Sequence, residues 1–458
     1  MKEFESDKVW EQLEQSGITR RQFMKLAIAS GLISAFPANE AKAFSSKANG
    51  KIVIVGGGAA GLSMAARLEN WLDSPDITLI DPSDRQYYQP GFTLIASGVY
   101  TADEVWKKQE DCIPDGVNWL KDSVVAIDPE RNSVTTSANG NISYDFLVLT
   151  TGLQTNWEKV EGITKDTLGV GNAHSIYDYE GARKTWIAIQ SFVQTGGRGV
   201  YTDTYTKHKC GGAPKKICLL TEHHARKQDK RENVALDFFT ASKALYDVAH
   251  YTPRLEEIYK ERNVPINLNM QLKGVDTEAK RAHFERVTTV DGVKTYTPVI
   301  EDYDFLHFTP PMTAPDFLRD SGLCTTTDKD EVETWVPVDK HTLVHTKYPN
   351  VISLGDCSNQ PTSKTSAAIR MQVPVAAKNL ISIMEGKEPT ESYNGYAACP
   401  IITDYGHVLL CEFDYDKKPA TSFPFTMMDT SQELWAAWLL KVYVLKPLYF
   451  YGMIKGHA

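Results

Sequence analysis

Residues 51–68 read KIVIVGGGAAGLSMAARL, and the fold turns on how this stretch is read. Lys51 to Val55 is a short β-branched run of the kind that forms a buried parallel strand. Gly56, Gly58 and Gly61 follow at GxGxxG spacing, and a helical apolar pattern comes next. Downstream, ITLID at 77–81 predicts a second strand ending in Asp81, twenty residues after Gly61. The glycines permit a tight turn and close approach of a pyrophosphate. The helix N-terminus offers it unsatisfied N–H groups, and the acid accepts from a ribose hydroxyl. Strand, glycine turn, helix and distal acid in this order predict a dinucleotide site.

The 458 residues, 42% hydrophobic and 23% charged, have ordinary globular composition and length for two or three domains. A net charge of −9 argues against nucleic acid, because a phosphate-tracking surface needs excess Lys and Arg. Before the glycine turn, Thr19-Arg20-Arg21-Gln22-Phe23-Met24-Lys25 precedes a short apolar run and Ala41-Lys42-Ala43. That order of charge, apolar run and small residues reads as a twin-arginine export signal over residues 1–43, and predicts the periplasmic side of a bacterial inner membrane.

Two further segments extend the first domain. YDFLVLTTG predicts a strand ending in Thr150-Thr151-Gly152, and NVISLGDCSN another ending in Gly355-Asp356. A chain that leaves and re-enters its first domain in this way resembles the flavin oxidoreductases with two dinucleotide folds. The resemblance implies FAD, with Thr151, Gly152, Gly355 and Asp356 at the cofactor. It also implies a second such fold over residues 161–305, where NADH would bind. In that interval no strand is followed by GxGxxG and a distal acid; Gly196-Gly197-Arg198-Gly199 precedes its strand instead. The expected electron donor is therefore not a nicotinamide.

The same interval carries HKCGGAPKK at 208–216. Cys210 stands among Lys207, Lys209, Lys215 and Lys216, which favour a thiolate, the nucleophile of disulfide exchange. Cys357 follows Asp356 directly and should lie near FAD. Residue chemistry leaves two readings open: a reactive pair across a domain interface, or a packed Cys357 and a loop thiol among solvated lysines. Seven cysteines without CxxC or His-rich spacing predict no zinc or iron–sulfur site. Cys218, Cys324, Cys399 and Cys411 read as structural or incidental, and His208 as incidental.

KCGGAPKK at 209–216, HFTPPM at 307–312, KYPNVISLGDCSNQPTSKTSAA at 347–368, SYNGYAACPIITDYGHVLLCEFDY at 392–415 and DPSDRQYYQPGFTLI at 81–95 resemble the mitochondrial-type sulfide:quinone oxidoreductases. The resemblance implies that Cys210 and Cys357 form a redox-active sulfur bridge beside FAD. Hydrosulfide would open the bridge, an unidentified acceptor would take the sulfane sulfur, and a membrane quinone would take the electrons. It also implies that Lys364 lies at the flavin pyrimidine. Cys112, in EDCIPDGVNWL, does not match the covalent attachment cysteine of some bacterial members, so FAD is expected to be noncovalent. The rival readings are a flavocytochrome-type sulfide dehydrogenase, a type II NADH:quinone oxidoreductase, and a redox sensor or scaffold that keeps FAD structurally.

The tail, ELWAAWLLKVYVLKPLYFYGMIKGHA, places Leu434, Trp435, Trp438, Leu439, Val442 and Leu445 at helical spacing, broken by Pro447. Aromatic and basic residues around an apolar face suit an interfacial helix and a monotopic protein. Phe413, Tyr415, Tyr449 and Phe450 are the candidates for a quinone channel. The expected fold class is α/β, with two Rossmann-like dinucleotide-binding domains, the FAD domain split in sequence. Its parts are 44–160 and 306–390, around 161–305, followed by a membrane-associating helical region at 391–458. The sequence leaves a homo-oligomer possible and its size open.

Overall fold

The computed structural model describes residues 44–326 and 334–457. Lys51–Val55 lies at the centre of a five-stranded parallel sheet whose order is Val351–Ser353, Phe146–Leu149, Lys51–Val55, Asp76–Ile80, Asn118–Leu120. The late strand Val351–Ser353 pairs with Phe146–Leu149, so the chain re-enters its first domain. This is the split α/β arrangement expected from the sequence. Between the first two strands runs the helix Ala59–Trp71, nearly all of which is buried. A Cβ on Gly61 would meet the Gly56 carbonyl oxygen at 1.8 Å, and Gly56 itself has φ +98°, so the turn admits no side chain at either position.

A second parallel sheet has the order Ala173–His174, Phe305–His307, Gly197–Thr202, Val234–Phe239, Ile266–Asn267. Its strand Phe305–His307 begins at residue 305, so this sheet runs past the expected boundary there. The antiparallel strands Met270–Asp276, Arg281–Val290 and Val293–Asp302 extend from this half, and the outer part of their hairpin is exposed.

The C-terminal region begins with the hairpin Ala397–Asp404 and His407–Phe413, onto whose first strand the helix Ala213–Lys227 packs. It continues as Trp435–Leu439, a π-helical turn at Leu440–Val444, and Leu445–Tyr451. Pro447 does not break the run. It sits in the first turn of Leu445–Tyr451, where the missing N–H is not needed. Trp438, Leu439 and Val442 are buried within the chain, whereas Trp435 and Tyr451 are exposed. None of the described helices is long and apolar enough to cross a membrane.

Candidate active site

A cavity of about 420 Å³ runs from the glycine turn, past Cys210, to the C-terminal region. Gly56, Gly58, Asp81, Thr151, Gly152, Asp356 and Lys364 line it, so the expected cofactor residues from four separate segments converge on one space. Gly61 supports the turn from behind, and Gly355 begins the tight turn that presents Asp356. Asp81 closes the turn by accepting from Gly57 N–H at 2.6 Å and Ser83 N–H at 2.8 Å. Burial raises the Asp356 carboxyl, against the pull of Lys364 and Lys209. Lys364 Nζ donates to the carbonyls of Asp356 and Ser358, each at 2.8 Å, and stands 3.8 Å from the centroid of the Trp335 ring. These residues fit a bound dinucleotide: a side-chain-free turn at a helix N-terminus, a distal acid, and a buried Asp–Lys group farther along the cavity.

The second sheet has no comparable turn. At the end of Gly197–Thr202, Asp203 accepts from Lys215 Nζ at 3.1 Å, Thr240 Oγ at 2.7 Å and Ala241 N–H at 3.0 Å. Asp203 and Lys215 are both buried, so an ion pair occupies the end of this strand. The connection then travels to the other domain before the helix Ala213–Lys227 begins. Cys210 N–H donates to the Lys364 carbonyl at 3.0 Å, and Lys209 Nζ donates to Gln89 Oε1 at 2.6 Å. Cys210 is held there at φ +51°, a left-handed conformation that costs a residue with a side chain about 1 kcal/mol or more.

The structure brings the Cys210 sulfur to Cys399, at 3.8 Å, and not to Cys357. Cys399, expected to be structural or incidental, is the cysteine that the structure places beside Cys210. Cys357 is fully buried in a separate apolar cluster with Trp335, Val336 and Leu149. Its sulfur lies 3.4 Å from Ser353 Oγ and 3.5 Å from the Leu149 carbonyl oxygen. The reason is local: in the tight turn Gly355–Cys357, Asp356 faces the cavity while its neighbour projects under the sheet.

Lys216, buried in Ala213–Lys227, donates from Nζ to the Cys210 sulfur at 3.2 Å. The Cys399 thiol and Lys216 together hold Cys210 well below the ordinary thiol range, while Cys399 is held well above it by the same contact and by burial. Burial opposes a charge on Lys216, but the Cys210 and Cys399 sulfurs keep its affinity for a proton above the ordinary value. A further buried lysine, Lys441, comes from the π-helical turn, a geometry common at functional sites, and donates to the Pro90 carbonyl at 2.9 Å. Burial and then repulsion by Lys216 push it down to about 7. His208, whose affinity for a proton is lowered by burial, donates from Nδ1 to the Thr206 carbonyl at 3.1 Å.

Of the aromatic candidates, Tyr449 lines the cavity. Phe413 is instead fully buried beneath Lys417, Tyr415 stands over Gly395 with its hydroxyl on the Lys340 carbonyl, and Phe450 packs on Tyr88 and Tyr449. The hairpin supplies the wall that sequence reasoning missed. Ala398, Pro400, Leu410 and Glu412 face the cavity, while Cys399 alternates to the face that meets Gly212 and Cys210. The signal for Cys399 was present in the family-like segment 392–415, but nothing local distinguished it from Cys411.

Residues 50–197 match the family model described as pyridine nucleotide-disulphide oxidoreductase, a stretch that contains the glycine turn and most strands of the first sheet. The mitochondrial sulfide:quinone oxidoreductase of Dictyostelium discoideum is 41% identical over 407 residues, covering 89% of this chain and 86% of the relative. That of Mus musculus is 36% identical over 407 residues, covering 89% and 87%. The crystal structure of the sulfide:quinone oxidoreductase of Aquifex aeolicus shares the fold at a TM-score of 0.72 and 19% identity, covering 89% of this chain and 92% of that one. The chain belongs to the sulfide:quinone oxidoreductase family, and its cofactor is FAD. The expectation of twin-arginine export to a bacterial periplasm is overturned, because the curated relatives at this level of identity are mitochondrial proteins. The segment Thr19 to Ala43 that prompted it lies outside the described residues.

Proposed function

We propose that the chain oxidises hydrogen sulfide through Cys210 and Cys399 and passes two electrons by way of noncovalently held FAD to a membrane quinone. The carrying observation is the 3.8 Å approach of the two sulfurs, with Lys216 3.2 Å from Cys210, beside the cavity that begins at the glycine turn. A direct sulfur–sulfur bond is about 2.05 Å long, so a gap of 3.8 Å closes by a modest movement or takes up one further sulfur atom.

In the oxidised protein the two cysteines are bridged. Hydrosulfide attacks Cys399, forming a persulfide there and breaking the bond to Cys210, which leaves as a thiolate. Lys216 stabilises that leaving thiolate. Cys210, which lines the cavity, is the sulfur placed to hand on the electron pair. FAD, when bound, supplies two-electron acceptance and onward transfer. An external nucleophile removes the sulfane sulfur from Cys399, and the bridge re-forms as the pair of electrons departs.

The apolar end of the same cavity, lined by Phe423, Phe425, Leu440, Leu445, Leu448 and Met453, suits a quinone ring and its isoprenoid tail. Phe423, Met427, Met428, Trp435 and Tyr451 are exposed in this region, with Lys107 3.9 Å from the Tyr451 ring centroid. An apolar surface edged by basic side chains supports docking to a membrane face. The test is steady-state turnover of the purified chain with sulfide and decylubiquinone and no cytochrome. Turnover is expected; its absence, with activity only on addition of a haem protein, would reject the quinone assignment.

A further inference from the structure

On the cavity wall, within an otherwise apolar stretch formed by Ala398, Pro400, Leu410, Phe423 and Phe425, stands one acidic cluster. Glu412 is only 3% exposed. Its Oε1 accepts from the Tyr396 hydroxyl and from Ser422 Oγ at 2.7 Å, and its Oε2 accepts from Ser422 N–H at 3.0 Å. The Tyr396 and Ser422 hydroxyl oxygens are themselves 3.2 Å apart. All three residues border the cavity. A buried carboxylate is costly unless hydrogen bonds satisfy it, and none of these donors carries a charge. Its main chain is fixed as well: Tyr251 Oη donates to the Glu412 carbonyl at 3.0 Å and accepts from its N–H at 3.2 Å. Burial, and then the adjacent Glu412, raise the Tyr396 phenol above its ordinary range, so it does not ionise on its own at neutral pH.

We propose that Glu412, through the hydroxyl of Tyr396, is the proton donor to a quinone carbonyl oxygen, with Ser422 fixing the carboxyl in place. This rests on the quinone reading above. Reduction of a quinone to a quinol needs two electrons and two protons. One proton accompanies the electron pair from reduced FAD. For the second, Glu412 first takes a proton from water, which frees the Tyr396 hydroxyl from donating to it; that hydroxyl then gives its own proton to the other quinone oxygen and takes the Glu412 proton in return. No additional oxidant or reductant enters. Cys399 points to the opposite face of the same strand from Ala398 and Pro400, away from this proton path.

The experiment compares wild type, Glu412→Gln and Tyr396→Phe by stopped flow in three separate reactions. These are anaerobic bleaching of the flavin by sulfide, reoxidation by decylubiquinone, and reoxidation by ferricyanide, which takes electrons without protons. The affinity for decylubiquinone is read independently from quenching of protein fluorescence. Loss of a positioned proton donor should slow quinone reoxidation about 100-fold in Glu412→Gln and at least about 10-fold in Tyr396→Phe. Sulfide bleaching, ferricyanide reoxidation and quinone affinity should stay within about threefold of wild type. Unchanged quinone reoxidation would overturn the proposal. So would equal slowing with ferricyanide, or a loss of quinone affinity that accounts for the whole effect. Where Glu412→Gln does not fold, Ser422→Ala carries the same comparison. If wild type itself reacts with ferricyanide and not with quinone, the quinone reading fails, and that outcome is visible without any variant.

Discussion

A Cβ on Gly212 would stand 2.6 Å from the Cys399 sulfur. The backbone there is right-handed, with φ −84°, so alanine is acceptable to the chain, and its main conflict is with the Cys399 sulfur, followed by Ile401 Cγ1 at 3.1 Å. Gly212 is therefore the residue that leaves room for Cys399 beside Cys210. Gly212→Ala should retain FAD and melt near wild type, yet bleach with sulfide at least tenfold more slowly. Rapid anaerobic mixing measures this, and a wild-type rate would show that Cys399 has no need of its present position.

Lys216 holds Cys210 as a thiolate after the Cys399 thiol has contributed its hydrogen bond. A thiol shifted downward stays ionised as the pH falls below the ordinary value of about 8.5, and loses its reactivity only on passing the depressed value. In the reduced protein, iodoacetamide should label the Cys210 peptide at about pH 6 nearly as fast as at neutrality. In Lys216→Met the labelling rate should instead climb steeply with pH toward the ordinary thiol value. Mass spectrometry of the Cys210 peptide gives the profile.

The fold was legible where its determinants are local. Gly56, Gly61 and Asp81 act within one strand–turn–helix–strand unit, and the re-entry of NVISLGDCSN into the first sheet follows from its ending in Gly355-Asp356. The sulfur neighbour of Cys210 was not legible, because Cys210 and Cys399 are 189 residues apart and meet only through packing of Ala213–Lys227 on the C-terminal hairpin. Adjacency misled in the other direction: Cys357 is one residue from Asp356 and faces away from it. The tail was read as one interfacial helix broken at Pro447, but tertiary packing placed Trp438 and Val442 in the core and inserted a π turn that presents Lys441.

The buried Asp203–Lys215 pair stands at the end of Gly197–Thr202, the strand that no GxGxxG turn follows. Removing one partner of a buried ion pair leaves the other uncompensated, at a cost of about 3–5 kcal/mol. Lys215→Met should lower the melting temperature clearly, whereas NADH should bleach the flavin neither in wild type nor in the variant. Calorimetry and anaerobic titration read the two effects. Flavin reduction by NADH in wild type would mean that the second fold still binds a nicotinamide.

The exposed apolar residues at the cavity mouth should act in membrane docking. Phe423→Ser combined with Met427→Ser and Trp435→Ser should abolish cosedimentation with liposomes. Sulfide bleaching, which needs no bilayer, should be unaffected. Retained cosedimentation would place the docking face elsewhere.

The identity of the sulfur pair is tested most directly by anaerobic sulfide titration of flavin absorbance in wild type, Cys357→Ser and Cys399→Ser. Bleaching is predicted in wild type and in Cys357→Ser, and little or none in Cys399→Ser. Full bleaching in Cys399→Ser, together with its loss in Cys357→Ser, would contradict the pairing of Cys210 with Cys399.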